Sequence, residues 1–243
     1  MFEAGASLVN RRRLVAATLD HLLTTLARLA IPGVCGLCGG AGQWQRCRSG
    51  LDLCEHCEAA LPRAEDANAL ALTPFDYRPP VDFMIRRLKF GGDRSFARTL
   101  GLLLAEAREA RGRPLPDLLV PVPLHLDRLR ERGYNQAAEL AHFAGRHLRI
   151  PVRARALLRV RATKAQSGLP AADRAANVQG CFAVPPRELR WVRGKRIALV
   201  DDVLTTGSTS SEAARVLGLG GAASVEIWAA TRAGRAKRRG GEP

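Results

Sequence analysis

The feature that most constrains the fold of this chain is an apolar run that leads into paired acids. Residues 197–200 are uninterrupted and apolar, and Asp201 and Asp202 follow them directly. Such a run is typical of a strand that is buried on both faces of a parallel sheet. Carboxylates at the end of a buried strand are costly unless they face a ligand crevice, which in open α/β sheets lies at the carboxyl ends of the strands. The run therefore predicts both a parallel sheet and a site at its edge.

The residues after the acids are typical of a phosphate-binding turn. Five residues lead into a helix predicted over residues 210–217, namely Thr205, Thr206, Gly207, Ser208 and Thr209. Glycine lets the backbone approach a ligand closely, and the N–H groups at a helix start, aided by the helix dipole, favour a phosphate. The spacing of Thr209 and Glu212 also fits a capping box, so Thr209 serves either the ligand or the helix.

The paired acids and the turn together predict a site for a ribose 5-phosphate. Two adjacent carboxylates beside a phosphate cradle can accept hydrogen bonds from the vicinal hydroxyls of a ribose. The structural alternative is a helix-capping loop whose acids are bound by arginine side chains.

Helix and strand signals alternate over residues 75–232, which we assign to one α/β domain. The predicted strands are residues 118–122, 197–200 and 225–230, and the predicted helices include residues 96–110, 135–149 and 210–217. Asn135 is the predicted N-cap of the second of these helices. Strand–helix–strand repetition implies a parallel sheet with helices packed against it. The polar, alanine-rich stretch 62–74 is predicted to be a linker. Cys181 has apolar neighbours and is expected to be buried in a strand.

A second module is indicated by the cysteine spacing within residues 34–62. Cys35 and Cys38 form one Cys-x2-Cys pair, and Cys54 and Cys57 form another after fifteen intervening residues. This spacing is typical of a zinc site with four thiolate ligands, which is structural because no coordination position stays open. The alternatives are two disulfides or a redox dithiol, which a cytosolic location disfavours. Cys47 lies inside the loop and could replace one of the four ligands.

The charge of the chain predicts polyanionic partners. The chain has 38 Lys+Arg residues against 23 Asp+Glu residues, a formal net charge of +15. This excess favours nucleic acid, a phosphorylated small molecule, or both. Trp44, Arg46 and Arg48 between the cysteine pairs either grip a single strand or form a solvated loop. The basic tail, residues 233–243, is predicted to be flexible.

Residues 1–33 are predicted to form an amphipathic helix rather than a membrane anchor. Basic residues precede an apolar stretch, as in a signal peptide, but Asp20, His21 and Arg28 interrupt that stretch. No apolar run in the sequence approaches the roughly 20 residues that span a bilayer. We therefore expect no membrane span and a cytoplasmic location.

Several blocks of the chain resemble, in order, the ComF competence family, which joins a four-cysteine zinc module to a type I phosphoribosyltransferase-like domain. The string from Val200 to Thr209 resembles the phosphoribosyl pyrophosphate motif of those transferases. The other blocks are Tyr77 with Lys89-Phe90-Gly91-Gly92-Asp93, Pro121-Val122-Pro123-Leu124, Arg128 to Gln136, Thr163-x-x-Gln166 and Arg174-x-x-Asn177. The resemblance implies an α/β fold of the parallel-sheet type I phosphoribosyltransferase kind, with a small N-terminal zinc-binding module.

The resemblance also implies roles for the residues around the acidic pair. Asp201 and Asp202 are implied to bind the ribose hydroxyls and to act in catalysis. Residues 205–209 are implied to bind the 5′-phosphate. Lys89 either reaches this site or caps a helix.

Basic residues are implied to bind the pyrophosphate. Residues 121–132 are implied to form the pyrophosphate loop, in which Arg128 and Arg132 are candidate ligands and at least one arginine, counting Arg130, is expected to be solvated. Guanidinium groups suit this ligand because they bind phosphate oxygens in pairs. A mobile loop that closes over the substrate is implied to contain Lys164, Gln166 and Arg174.

A phosphoribosyltransferase is the activity that the resemblance implies. It would bind phosphoribosyl pyrophosphate with Mg²⁺ and transfer the phosphoribosyl group to a nitrogen acceptor that the sequence does not identify. The family is implicated in DNA uptake during transformation, which implies partners such as single-stranded DNA and a competence helicase. The alternative is a non-catalytic cytosolic protein that handles single-stranded DNA and uses the fold for ligand sensing or as a scaffold.

Overall fold

The computed structural model describes residues 34–40, 52–64, 71–90, 94–162 and 176–233. The chain divides between Ala59 and Ala60 into a small and a larger unit, and each is described by itself. The helix predicted over residues 1–33 lies outside the described residues, as do residues 65–70 of the predicted linker and residues 234–243 of the predicted tail.

The small unit carries its cysteine pairs on a tight turn and at the start of a helix. In the turn, Cys35 N–H donates to the carbonyl of Gly40 at 2.7 Å, and Gly39 N–H donates to the carbonyl of Cys35 at 2.9 Å. Gly39 has a φ of +73°, which glycine adopts without steric cost. The second pair lies at the start of α1 (Glu55–Ala59).

The larger unit is built on a parallel sheet. Its strands and those of a smaller sheet are, in chain order, β1 (Ala71–Leu72), β2 (Phe75–Asp76), β3 (Leu118–Pro121), β4 (Leu158–Arg159), β5 (Phe182–Ala183), β6 (Arg196–Leu204) and β7 (Ser224–Arg232). The main sheet has the order β1–β7–β6–β3, with β2 also paired to β7, and these pairings are all parallel. β4 and β5 pair antiparallel as a separate sheet. The predicted α/β class with a parallel sheet is confirmed.

Helices cover both faces of the main sheet. They are, after α1, α2 (Val81–Phe90), α3 (Ser95–Ala110), α4 (Leu126–Arg132), α5 (Gln136–Leu148), α6 (Leu189–Val192, preceded by a 3₁₀ turn at Pro186–Glu188) and α7 (Ser208–Leu219). α3 and α5 pack on one face, with α2 beside α3, while α7 packs on the other face with β5 and α6. The exposed helix α4 follows β3 and leads to α5.

The central strand β6 is buried on both faces, which explains its uninterrupted apolar run. Ile197 and Leu199 belong to a core cluster that includes Leu217 of α7. Ala198 and Val200 alternate with them and are fully buried on the opposite face. β6 is also paired along both of its edges, since Val200 pairs with a residue of β3 and with a residue of β7.

α3 and α5 approach each other so closely that their contact requires a glycine. A Cβ atom at Gly101 would lie 2.8 Å from the carbonyl oxygen of Leu140 and 2.9 Å from Cβ of Phe143. A larger residue would therefore push the helices apart, and interiors packed as densely as crystals do not absorb such shifts freely. The contact holds α5 against α3.

Some local predictions differ from the structure. Residues 71–72 are not part of a linker, because as β1 they pair with β7. β6 extends beyond residue 200 to Leu204 because its pairing with β7 continues that far, and α7 begins at Ser208 rather than at residue 210. Cys181 is fully buried, as expected, and directly precedes β5. Within the described ranges, no helix combines the length and apolar character needed to cross a membrane.

Candidate active site and cysteine cluster

A cavity of ≈ 370 Å³ lies at the carboxyl ends of β3 and β6. Its walls come from α2, from the segment after β3, from α4, from the start of α5 and from β4, β6 and α7. The predicted site residues that line it are Asp201, Asp202, Thr209, Arg128 and Arg132. The structure therefore brings the acids, one residue of the predicted phosphate-binding turn and two arginines of the predicted pyrophosphate loop to one cavity.

Asp201 lies on the α7 side of the cavity and is held by two hydrogen bonds. Its Oδ1 accepts the N–H of Asp202 at 2.9 Å, and Ser210 Oγ donates to its Oδ2 at 3.5 Å. Burial and the charge of Asp202 raise the pKa of Asp201 to about 7, against opposing effects of the backbone hydrogen bond and of Lys89. Asp201 therefore exchanges its proton near neutral pH.

Asp202 lies on the other side of the strand end and pairs with Lys89. Because successive residues of a strand face opposite sides of the sheet, Asp202 is directed away from α7 and toward α2. Lys89 Nζ lies 3.0 Å from Asp202 Oδ2. Of the two roles considered for Lys89, the structure supports contact with the site.

The turn between β6 and α7 has the predicted glycine geometry. Gly207 has a φ of +78° and is the N-cap residue of α7, where as a glycine it has no side chain to cap the helix. Thr206 Oγ1 and Ser208 Oγ lie 3.0 Å apart, and Ser211 N–H donates to the carbonyl of Gly207 at 2.7 Å. Thr205, Thr206, Gly207 and Ser208 thus form the turn just before Thr209, which lines the cavity.

The capping-box hypothesis for Thr209 and Glu212 is wrong. α7 begins before Thr209, so this residue is not at the cap position. The carboxylate of Glu212 accepts the N–H of Gly180 at 2.8 Å and also accepts hydrogen bonds from Arg215. The side chain of Glu212, which a capping box would use locally, therefore binds a residue that is distant in sequence.

The predicted pyrophosphate loop contains a short helix. His125 lies at the N-cap of α4, and Gly133, with a φ of +77°, ends that helix. Arg128 and Arg132 are half-buried and line the cavity. Arg130 is 76% exposed and pairs with Asp127 at 3.4 Å. Arg130 is thus the solvated member of the three arginines.

The residues after α4 connect the walls of the cavity. Asn135 Nδ2 donates to the carbonyl of Val122 at 3.0 Å, while its Oδ1 accepts the N–H of Ala137 and so caps α5, as predicted. Tyr134 donates its hydroxyl hydrogen to the carbonyl of Leu88 in α2. These bonds join the segment after β3, the start of α5 and the end of α2.

A further hydrogen bond in this segment involves Gln136, which is 2% exposed. Arg132 Nη1 donates to Gln136 Oε1 at 3.1 Å, and the guanidinium carbon of Arg132 lies 5.3 Å from the ring centre of Phe90. Arg132 and Gln136 both line the cavity. The contacts with Phe90 and Gln136 therefore orient the guanidinium group of Arg132 at the cavity wall.

The structure adds residues to the site that the sequence did not indicate. Arg159 of β4 lines the cavity and stacks at 5.7 Å over the ring of Phe182. Burial lowers the pKa of Arg159, and the charge of Asp201 opposes that effect. His125 and Asp127, which lie within the predicted pyrophosphate loop but were not among its candidate ligands, also line the cavity. β4 carries no motif, so only its pairing with β5 could have indicated Arg159. Lys164, Gln166 and Arg174 lie outside the described residues.

The four cysteines of the small unit converge. The Sγ atoms of Cys35, Cys38, Cys54 and Cys57 all lie within 4.8 Å of one another, which is metal-binding distance. Cys38 Sγ and Cys54 Sγ are 3.8 Å apart, whereas a disulfide joins sulfurs at ≈ 2.05 Å. A tetrahedral zinc ion with Zn–S bonds of ≈ 2.3 Å would place its sulfurs about 3.8 Å apart. The donor set therefore fits zinc. Cys47 lies outside the described residues.

Thiol ionisation differs within the cluster. Burial alone would raise the pKa of Cys35, but backbone N–H groups of Cys38, Cys54 and Leu37 bring it down to about 6. Burial raises the pKa of Cys57. Backbone donors around one thiolate are typical of turns that bind a metal through cysteine.

Comparison with known proteins places the chain in a family. It is 35% identical to competence protein F of Haemophilus influenzae over 205 residues, 82% of this chain and 84% of that protein. It is 35% identical to DNA utilization protein YhgH of Escherichia coli K12 over 228 residues, 84% of this chain and 99% of that protein. It is 31% identical to competence protein ComFC of Bacillus subtilis, with 82% of this chain and 78% of that protein covered. The chain belongs to the ComF competence family, and the predicted resemblance is confirmed.

Other comparisons are less specific. No protein-family model matches the chain. Among solved structures, it is similar to glutamine phosphoribosylpyrophosphate amidotransferase from B. subtilis, with a TM-score of 0.41 and 18% identity over 60% of this chain and 30% of that chain. It is also similar to a purine phosphoribosyltransferase from Pyrococcus horikoshii, with a TM-score of 0.31 and 19% identity over 67% of this chain and 86% of that chain. The assignment of the site therefore depends on its own residues.

Proposed function

We propose that the cavity binds 5-phosphoribosyl 1-pyrophosphate and that the chain transfers its phosphoribosyl group to a nitrogen acceptor. The observation that carries this proposal is that Asp201 and Asp202 share one cavity with Thr209 and two half-buried arginines. Carboxylates accept from ribose hydroxyls, and the turn at Gly207 offers backbone N–H groups to the 5′-phosphate. The guanidinium groups of Arg128 and Arg132 are suited to the pyrophosphate.

In the proposed reaction, the acceptor nitrogen forms a bond to C1 of the ribose as the bond from C1 to the pyrophosphate oxygen breaks. The acceptor nitrogen releases its proton to the solvent, and pyrophosphate leaves with the bonding electrons. Asp201 and Asp202 stabilise the positive charge that develops on the ribose, and Arg128 and Arg132 stabilise the leaving group. Lys164, Gln166 and Arg174 are proposed to close over the donor and exclude water.

Two metal ions belong to this proposal. Because Lys89 already pairs with Asp202, Mg²⁺ is proposed to arrive with the donor, where it would help to neutralise the negative charge of the leaving pyrophosphate. Zinc is proposed to be held by Cys35, Cys38, Cys54 and Cys57, whose sulfurs leave no open coordination position. That zinc would be structural and would stabilise the small unit.

The relatives named for competence and DNA utilization support a role in DNA uptake or in the use of incoming DNA. We propose that this role is exercised in the cytoplasm, where a four-thiolate site stays reduced.

The transfer reaction is tested by a screen for pyrophosphate release. With donor, Mg²⁺ and candidate bases or amines, the wild type is expected to release pyrophosphate only when an acceptor is present. Arg128→Ala and Arg132→Ala should each lower the rate about tenfold or more, as loss of one charge-assisted contact does. Arg130→Ala, on the same helix but 76% exposed, is the matched control and should keep the rate. Absence of release with every acceptor in the screen would contradict turnover.

A second candidate function is non-catalytic handling of single-stranded DNA, with a helicase as a partner. The net charge of +15 and the names of the relatives favour it. It predicts single-strand binding that weakens steeply as salt rises and that survives Asp201→Ala/Asp202→Ala. A flat salt response would count against it.

A further inference from the structure

Lys89 and Asp202 form an ion pair inside the candidate active site. Their side chains are 24% and 13% exposed, and both residues line the cavity. The ammonium contacts Oδ2 of that carboxylate. Asp201, one residue away, instead accepts hydrogen bonds from a backbone N–H and a serine hydroxyl. The two acids are therefore held by different groups.

The fold brings Lys89 to this position. α2 buries Val81, Met84, Ile85 and Leu88, which fixes the rotation of the helix about its axis. At its last turn, the carbonyl of Leu88 accepts the hydroxyl of Tyr134, which ties the helix end to the segment before α5. Lys89 follows Leu88 directly, so its side chain starts from an anchored backbone.

We propose that Lys89 is a positioning residue for the phosphoribosyl donor, which it serves by holding the carboxylate of Asp202 oriented toward the ribose hydroxyls. This inference rests on the proposed function. It differs from direct binding, in which the ammonium would contact a donor phosphate and Asp202 would be incidental. It also differs from a purely structural role, because the pair is at the cavity wall rather than in the core.

The other charged groups that line the cavity help to separate positioning by Lys89 from direct binding of the donor. The titratable or charged groups that line it besides the pair are His125, Asp127, Arg128, Arg132, Arg159 and Asp201. Loss of Lys89 leaves three arginines to attract the donor, so the general positive potential persists. What changes is local, since the Asp202 carboxylate loses the ammonium contact that fixes its orientation.

The test is a double-mutant cycle on donor affinity, with Lys89→Met, Asp202→Asn and the double variant measured by calorimetry with 5-phosphoribosyl 1-pyrophosphate and Mg²⁺. Each single variant is expected to weaken binding about tenfold, the scale of one charge-assisted contact. The double variant should bind no more weakly than Asp202→Asn, because Lys89 acts through that carboxylate. Lys89→Arg should restore most of the affinity. Lys195→Met, an exposed lysine just before β6, should bind as the wild type does.

The outcomes separate the possibilities. If the losses of donor affinity in the two single variants multiply in the double variant, Lys89 contacts the donor directly and the inference is overturned. Wild-type affinity in Lys89→Met would overturn it as well, while the proposed function would stand. No donor binding by the wild type would remove the proposed function and this inference together. Thermal melting of each variant verifies that it is folded.

Discussion

The side-chain amide of Asn135 donates to the carbonyl of Val122 at 3.0 Å while its oxygen caps α5. The side chain of Asn135 thus links the segment after β3, which lines the cavity, to the start of α5. Asn135→Ala is expected to lower the free energy of unfolding by about 2 kcal/mol, since it removes a cap worth ~1 kcal/mol and a hydrogen bond of similar worth. Asn135→Asp keeps the cap acceptor and should lose about half as much. Denaturant unfolding measures both, and equal losses in the two variants would contradict the dual role.

The raised pKa of Asp201 predicts how stability depends on pH. Its folded pKa of about 7 lies above the usual aspartate value, so between about pH 4 and pH 7 the folded state binds more protons than the unfolded state. Stability from this group is therefore present at low pH and is lost as pH rises through 7. Asp201→Asn is expected to be more stable than the wild type at pH 8 by on the order of 1 kcal/mol, with no difference near pH 4. Urea unfolding at both pH values checks this, and a difference that grows toward low pH would have the wrong sign.

Donor binding should show the opposite dependence on pH. Because the ionised carboxylate is the better acceptor for a ribose hydroxyl, affinity is expected to rise as pH increases through about 7, the pKa of Asp201. Calorimetry between pH 6 and 8 compares the donor affinity of the wild type with that of Asp201→Asn. The variant should lose the rise in affinity near pH 7. An unchanged profile in Asp201→Asn would assign the titration to another group.

The cysteine cluster predicts about one zinc per chain, measurable by metal analysis of the purified protein. Cys57→Ser removes one of the four converging sulfurs and is expected to lose the metal. Cys47→Ser is the matched control, because its thiol is the extra one in the intervening segment, and it should keep the metal. Loss of zinc in Cys47→Ser, with retention in Cys57→Ser, would mean that Cys47 is a ligand.

The contact between α3 and α5 predicts unequal effects of two glycine substitutions. Gly101→Ala forces a Cβ to within 2.8 Å of a backbone oxygen and should cost about 1–3 kcal/mol of stability. Gly218→Ala, in α7, meets nothing within 4 Å and should be neutral or stabilising by up to ~1 kcal/mol, because alanine favours helix. Thermal melting ranks the two, and a stable Gly101→Ala would contradict the close approach.

The parts of the fold that the sequence predicted are those in which neighbouring residues decide the outcome. The run at residues 197–200 with its paired acids predicts a doubly buried strand because few other structures accept that pattern, and Asn135 predicts a cap because capping is local. Residues 71–72 lie in a stretch whose polar, alanine-rich composition predicts a linker, and only their pairing with β7 makes them a strand. Glu212 failed as a capping partner because the N–H of Gly180, distant in sequence, binds it.

The site was predictable in its acids and turn but not in all of its walls. Lys89 had two possible roles, and the choice depended on how α2 packs beside the sheet. Arg159 reaches the cavity only because β4 pairs with β5, and no pattern in its segment marks it. Charge and spacing therefore predicted a ligand class, while tertiary contacts decided which basic residues line the cavity.

Calorimetric titration of the wild type and of Asp201→Ala/Asp202→Ala with 5-phosphoribosyl 1-pyrophosphate and Mg²⁺ tests the central claim most directly. We predict saturable binding by the wild type and affinity about a hundredfold weaker or worse in the double variant, from the loss of two charge-assisted contacts. A wild type that releases no heat across the titration, or a folded double variant that binds as tightly as the wild type, would contradict the account.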